Sequence, residues 1–379
     1  MQSLPLGIVR VGIVGLGARG LTALRLLALL DEACVTALCD LSSKAVEAAK
    51  VLLLEAETSV GRQQKDRQAT LLTAHGADAF QTLCHSPLVD LIYICSDWQT
   101  HAPIALEAMR AGKHVAIEVP AATTMEELWA LVHTAEQTQR HCVLLENCLY
   151  DPDIQQAIQC IHEGGIGQVV HAEGAYYHHL DDRWADWRLD INQQQCGDLY
   201  PTHELGPICM ALDINRTDSL QTLVSMDSAA ITGPELVCER TGQQPEHFCN
   251  GDHTTTLIRT ARGVTILLKH DVMNPQPYDR SIHVIGTRGD IRAGVEGPDA
   301  EIVCTSFRSI HDPMTYEMNR RLIHSLAVGE PTDTDVYDLA TWCAVIPLSQ
   351  QSIRQGCAPV TFPNFRADRP RDAASPRMH

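Results

Sequence analysis

"VRVGIVGLGARGLTALRLL", residues 9–27, decides the fold. A β-branched run from Val9 to Val14 enters Gly15-Leu16-Gly17-Ala18-Arg19-Gly20, and a helical run of leucines and alanines follows. Strand, glycine turn and helix in this order make G-x-G-x-x-G a dinucleotide turn. The first glycine allows the tight bend, the second lets a pyrophosphate reach the backbone, and the third permits close helix packing. The helix N-terminus faces the phosphate charge. Gly15, Gly17 and Gly20 are therefore the expected phosphate contacts, with Ala18 in the same turn counted among the cofactor residues. Asp40 ends the next strand-like run, "CVTALCD" (34–40). A carboxylate there accepts bonds from ribose hydroxyls and repels a 2′-phosphate, so NAD rather than NADP is expected. The weaker alternative is that Asp40 merely starts the following helix with Ser42 and Ser43.

Outward from this turn the alternation continues. "VDLIYICS" (89–96), "HVAIEV" (114–119) and "HCVLLEN" (141–147) read as strands, separated by helical "APIALEAMRAG" (102–112) and "TMEELWALVHTAEQTQ" (124–139). Such alternation implies a doubly wound parallel sheet with helices on both faces. Ligands of these sheets bind beyond the carboxyl ends of the strands. That places Ser96, Asp97, Trp98, His101, Glu118, Pro120, Glu146 and Asn147 near the cofactor, although His101 taken alone reads equally as a satisfied histidine at a helix start.

Near residue 150 the grammar changes. After a helix from about Asp151 to His162, strands dominate: "QVVHAEGAYYHH" (168–179), "LQTLVSM" (220–226), "TTTLIRT" (254–260), "VTILLKHDV" (264–272), "SIHVIG" (281–286) and "EIVCTSF" (301–307). Gly-rich turns between some of them point to antiparallel pairing. Helical runs return at 314–329 and 335–356. The expected architecture is α/β: an N-terminal Rossmann domain over 1–149 and a C-terminal α+β domain with a largely antiparallel sheet over 150–379. The helix 336–356 is expected to pack back on the first domain.

Composition bounds the function. A formal net charge of −18 disfavours nucleic acid and anionic membranes as partners. No apolar run reaches the ~20 residues of a membrane helix, and the first strand begins too soon for a secretory signal. The 14 cysteines show no C-x-x-C pair and read as free thiols of a cytoplasmic protein. The polar tail 366–379 reads as a disordered end.

The chemistry concentrates in "GDLYPTHELGP" (197–207). Pro201 suits a first helical turn, so Thr202 and His203 fall at a helix N-terminus, where the dipole keeps an imidazole neutral. Tyr200 precedes them. In "QVVHAEGAYYHHL" one strand face carries Val170, Ala172, Gly174, Tyr176 and His178, and the small residues leave room for a ligand. A solvent face or subunit contact explains that strand equally well. Arg188 and Tyr278 stand on flanking segments. Tyr, His and Arg with no paired lysine suit a neutral carbohydrate. The spacing of His178, His179 and His203 is not a zinc pattern, and no metal is expected.

Fold grammar and "VGIVGLGARG" resemble the glucose–fructose oxidoreductase/inositol dehydrogenase/MocA superfamily over nearly the whole chain. Many of its dehydrogenases carry E-K-P after the fifth strand; here Glu118-Val119-Pro120 lacks the lysine. The chain is most similar to glycoside hydrolase family 109, NAD-dependent α-N-acetylgalactosaminidases, through Trp98-x-x-His101, "EVPA", Glu146-Asn147, "GAYYHHL", Trp187-Arg188, "GDLYPTH", "LDINR", "PQPY" and "DVYDLATW". Asp97 stands where that family commonly has proline, and the segment 181–186 is short. The resemblance implies that Arg19, Asp40, Trp98, His101, Glu118, Val119 and Asn147 touch NAD. It implies that Tyr176, Arg188, Tyr200, Pro201, Thr202, His203 and Tyr278 touch the sugar. It further implies transient oxidation at C3, proton loss at C2, elimination at C1, water addition and return of the hydride. His203 would serve the C3 hydroxyl, and Tyr176, with His178, C2. The alternatives are an NAD-dependent sugar or polyol oxidoreductase and a catalytically silent NAD or sugar sensor. A homo-oligomer is expected.

Overall fold

A computed structural model of the chain describes residues 4–61, 71–180, 184–296 and 313–366. The strand expected over 301–307, the tail after residue 366 and much of the short 181–186 segment lie outside them. The described residues divide into two compact units. One holds those up to Asn147 together with 313–340; the other holds 148–296 and 341–366.

The first unit is built on six parallel strands: β1 (Val9–Val14), β2 (Ala33–Asp40), β3 (Leu72–His75), β4 (Leu91–Ile94), β5 (His114–Ile117) and β6 (Cys142–Leu144). Their order is β3-β2-β1-β4-β5-β6, so the strand order reverses between β1 and β4. Every residue of β4 and β5 is buried, as expected where helices cover both faces. Asp97 caps the helix Trp98–Arg110 by accepting the Thr100 N–H at 3.1 Å. That is a local reason for an aspartate where proline is common.

This unit sets two of its buried histidines, His114 and His141, side by side, with ring centroids 5.2 Å apart. His114 Nδ1 accepts the His141 backbone N–H at 3.1 Å, so that nitrogen carries no proton. Burial pushes His114 down to about 4, with Arg140 adding to it, and His141 down to about 3, with His114 adding to it. The unfolded chain takes up both protons near pH 6.5, whereas the folded chain refuses them until about pH 4. Stability therefore rises with pH through this window and is fully present above it. Each histidine is expected to cost up to about 1.4 kcal/mol per pH unit on acidification from about pH 6.5. Thermal melts of the protein and of His141→Leu between about pH 7 and pH 5 check this. The variant should show the shallower decline, and equal slopes would refute the assignment.

The second unit holds β7 (Val169–Tyr177), β8 (Leu220–Asp227), β9 (Thr254–Thr260), β10 (Thr265–Asp271), β11 (Asp279–Gly286), β12 (Gly289–Glu296) and β13 (Val360–Thr361). Their order is β12-β11-β7-β10-β9-β8-β13. All neighbours are antiparallel except β7 and β10, which run parallel. In β9 the threonines and Ile258 of one face are buried, while Thr255, Leu257 and Arg259 on the other are exposed. One face is thus covered. The late helical run is two helices, Val336–Cys343 and Val345–Arg354, rather than one over 336–356. Pro347 has no N–H for the Cys343 carbonyl and its ring would crowd that oxygen, so the first helix ends there. The proline then sits harmlessly in the first turn of the second.

Candidate active site

In the first unit the glycine turn follows from hard contacts. Gly15 has φ +90°, and a Cβ there would sit 2.5 Å from the Cys95 backbone. A Cβ on Gly20 would collide with the Gly15 carbonyl oxygen, which fixes how closely the helix Ala18–Leu27 approaches the turn. A Cβ on Gly17 would meet nothing. Its absence serves no packing in the chain and leaves open backbone at the helix N-terminus. Gly17 caps that helix without a side chain, and no acidic residue stands in its first turn. These features suit a bound pyrophosphate.

Asp40 sits at the mouth of this turn. One oxygen accepts the Leu16 N–H at 2.7 Å and the other the Ser42 N–H at 2.8 Å. Two acceptor sites remain on the carboxylate for ribose hydroxyls. The cap of the next helix is Ser42 rather than Asp40. Arg19 Nη2 donates to Glu118 Oε1 at 3.0 Å, so these two expected cofactor residues meet and their charges offset. Ser96 Oγ accepts from Thr100 Oγ1 at 2.8 Å. His101 is 1% exposed, with Nδ1 2.8 Å from the Pro120 carbonyl and Nε2 3.0 Å from that of Ser96. It ties two strand-end loops together from within. Trp98 and Val119 are buried, and Asn147 Nδ2 donates to Thr315 Oγ1 at 3.1 Å.

In the second unit the expected substrate residues gather around Tyr176. Its ring centroid lies 5.3 Å from Tyr200, 5.2 Å from His203 and 5.7 Å from His178. Tyr200 and His203 meet edge to face at 5.0 Å, and His178 meets Tyr278 at 5.1 Å. Tyr176 OH is 2.9 Å from His178 Nδ1, so phenol and imidazole can pass a proton between them. The helix Thr202–Ala211 begins after Pro201 as expected and carries His203 in its first turn. Tyr176 and Tyr200 pack with Trp184 and Leu189. Leu189 belongs to the helix Asp186–Gln194, on which Arg188 stands with its guanidinium 5.1 Å from the Trp187 ring.

One expectation fails. Ala172 and Gly174 leave no room for a ligand. A Cβ on Gly174 would lie 2.7 Å from the Glu204 carbonyl oxygen and 3.1 Å from Ile208, so the space belongs to the helix Thr202–Ala211. Neither His178 nor His179 belongs to a group of converging metal ligands among the described residues.

Three residues escape the sequence reading: Asp198, Glu204 and His270, all buried. His270 is the cross-strand partner of Tyr176 in the parallel β7–β10 pair and stacks on it at 5.9 Å. Period-two alternation of "TILLKHD" could have placed His270 on one face, but not opposite Tyr176. Burial, with the adjacent Asp198 charge, holds the Glu204 carboxyl well above the usual range.

Two known families match successive parts of the chain. Residues 9–145 match the family described as oxidoreductase family, NAD-binding Rossmann fold. Residues 181–296 and 302–369 match that described as glycosyl hydrolase 109, C-terminal domain. A glycosyl hydrolase family 109 protein of Porphyromonas gingivalis is 39% identical over 94% of this chain and 84% of its own length. Another, protein 1 of that family in Bacteroides fragilis, is 38% identical over 95% and 86%. Among solved structures, myo-inositol dehydrogenase from Lactobacillus casei, in complex with NAD(H) and myo-inositol, superposes with a TM-score of 0.70 at 17% identity, covering 94% of this chain and 99% of that one. A probable dehydrogenase from Thermotoga maritima gives 0.70 at 17% identity, with coverages of 93% and 98%. At these identities the two structures speak for the fold alone.

Proposed function

Because the chain belongs to glycosyl hydrolase family 109, we propose that this NAD-dependent enzyme hydrolyses α-N-acetylgalactosaminides or closely related glycosides without net redox change. The observation that carries the reading is the Tyr176-centred group of two tyrosines and two histidines on the "YPTH" turn and β7. We assign cofactor binding to the first unit and sugar binding to the second.

When bound, NAD supplies a reversible acceptor for the hydride on C3 of the sugar. Gly15, Gly17, Ala18, Arg19, Gly20 and Asp40 would hold its pyrophosphate and ribose, with Ser96, Trp98, His101, Glu118, Val119 and Asn147 around them. His203 takes the C3 hydroxyl proton as the carbonyl forms. The ketone acidifies C2–H, and Tyr176, relayed through His178, receives that proton. The C1–O bond breaks, the proton held by Tyr176 and His178 passes to the departing oxygen, and the leaving group departs as an alcohol. Water adds its hydroxyl at C1 and its proton at C2, and His203 would hand its proton back to the C3 oxygen as the bound cofactor supplied the hydride. The balance is glycoside plus water to sugar plus alcohol. Arg188, Tyr200, Thr202 and Tyr278 orient the ring, with Pro201 fixing the turn.

Nitrophenol release from nitrophenyl α-N-acetylgalactosaminide, with NAD far below the substrate concentration, tests the reading. Many turnovers per NAD with no accumulation of reduced cofactor is the expected result. Stoichiometric reduction of NAD would instead establish a sugar or polyol dehydrogenase. Ligand-induced stabilisation without turnover would establish a sensor.

We further propose a homo-oligomer. The uncovered face of the second sheet exposes Met226 and Leu257, which suits a subunit contact. No helix among the described residues is long and apolar enough to cross a membrane. All 13 described cysteines are free, which supports a reducing compartment such as the cytoplasm.

A further inference from the structure

Asp198, Glu204 and His270 converge behind Tyr176, each at 4% exposure or less. One ligand atom from each lies within 4.8 Å of the other two. Asp198 leads into the helix Thr202–Ala211, Glu204 stands in its first turn, and His270 reaches in from β10. The polar groups here are not all satisfied. Asp198 Oδ1 accepts the Tyr200 N–H at 3.1 Å, and Glu204 Oε2 the Lys269 N–H at 3.2 Å. Asp198 Oδ2, Glu204 Oε1 and His270 Nδ1 find no donor among the described residues, so the two carboxyls can meet each other only through a proton or a cation. Thr202 Oγ1, fully buried in the same turn, finds no donor either.

Two buried carboxyl groups side by side require a positive charge between them, either a proton or a cation. A shared proton would join the two acids and leave His270 Nδ1 only its contact with Asp198. The distance from His270 Nδ1 to Asp198 Oδ1 is 3.5 Å. That is long for a hydrogen bond, whose usual length is about 2.9 Å. It is close to the ~3.3 Å that separates two ligands on a tetrahedral ion with bonds of about 2.0–2.1 Å.

We propose that Asp198, Glu204 and His270 bind a divalent metal ion, zinc by the chemistry of the donor set, beneath Tyr176. Two carboxylate oxygens and one imidazole nitrogen are a zinc-type set, whereas calcium and magnesium favour six or more oxygens. The two carboxylates balance the charge of the ion, and a water completes four-coordination. The ion holds the His270 ring on which Tyr176 stacks, so its role is structural. This site does not rest on the glycosidase reading.

The test is metal analysis of the full chain, made without a histidine tag, after zinc exposure and desalting. One equivalent of zinc per chain is expected. Glu204→Gln and His270→Gln should each weaken zinc binding on the order of a hundredfold or more, with far-ultraviolet circular dichroism unchanged. Absence of bound metal from the unaltered protein overturns the proposal, and so does undiminished zinc in both variants. A protonated-carboxyl infrared band that vanishes in Glu204→Gln would then identify a shared proton. Should the variants fail to fold, cobalt titration of the unaltered chain decides. Visible bands of tetrahedral cobalt support the site, and their absence overturns it.

Discussion

His203→Ala is expected to lower kcat by about 10²–10⁴-fold, the usual worth of a general acid–base group, while NAD binding stays unchanged. The expectation rests on placement. His203 stands in the first turn of the helix Thr202–Ala211, edge to face with Tyr200 and with Tyr176 at the centre of the ring group. Truncation leaves this turn intact, because Pro201 and the backbone define it. The loss should therefore fall on kcat more than on KM. Steady-state rates on the nitrophenyl glycoside, with calorimetric NAD binding in parallel, provide the measurement. Turnover within a few-fold of the unaltered enzyme would remove His203 from the chemistry.

The second large effect separates packing from cofactor recognition within one turn. Gly17→Ala adds a methyl group that touches nothing in the chain, so the melting temperature should hold. The same methyl would occupy the ground a pyrophosphate needs, and NAD affinity should fall by a factor on the order of 10² or more. Gly20→Ala drives its methyl into the Gly15 carbonyl oxygen and is expected to cost about 1–3 kcal/mol of stability as well. Thermal melts and NAD titrations of the two variants give the comparison. Unchanged NAD affinity in Gly17→Ala would place the pyrophosphate elsewhere.

Much of this was legible in the chain because the signals are local. The dinucleotide turn needs its glycines at fixed offsets, and strands such as Leu91–Ile94 are continuous apolar runs. Misses have equally local causes. The edge strand Leu72–His75 is four residues long, and β12 contains glycines at both 289 and 294. Gly294 has φ +94°, and a Cβ there would lie 2.5 Å from the Arg280 carbonyl oxygen, so a residue that normally weakens a strand is required in this one. The helix Asp186–Gln194 buries only Leu189, Ile191 and Asn192, too few for a clear period. In the site, Tyr176, Tyr200 and His203 stood out through chain breakers and sequence neighbourhood. Asp198, Glu204 and His270 did not, because their meeting depends on how the helix Thr202–Ala211 packs across β7 and β10, which no local pattern encodes.

That single parallel pair has a consequence for how specificity could be re-engineered. Since β7 and β10 point the same way, the segments leaving Tyr177 and Asp271 emerge side by side at one rim, and the antiparallel β11, with Asp279 opposite Tyr177, sets Tyr278 against His178 there. An antiparallel partner would have sent them to opposite ends. Exchanging the 272–278 loop, or grafting a longer segment after His178, would thus remodel one continuous wall while leaving every strand register in place. Laboratory selection for a different aglycone should find its mutations in those two segments first.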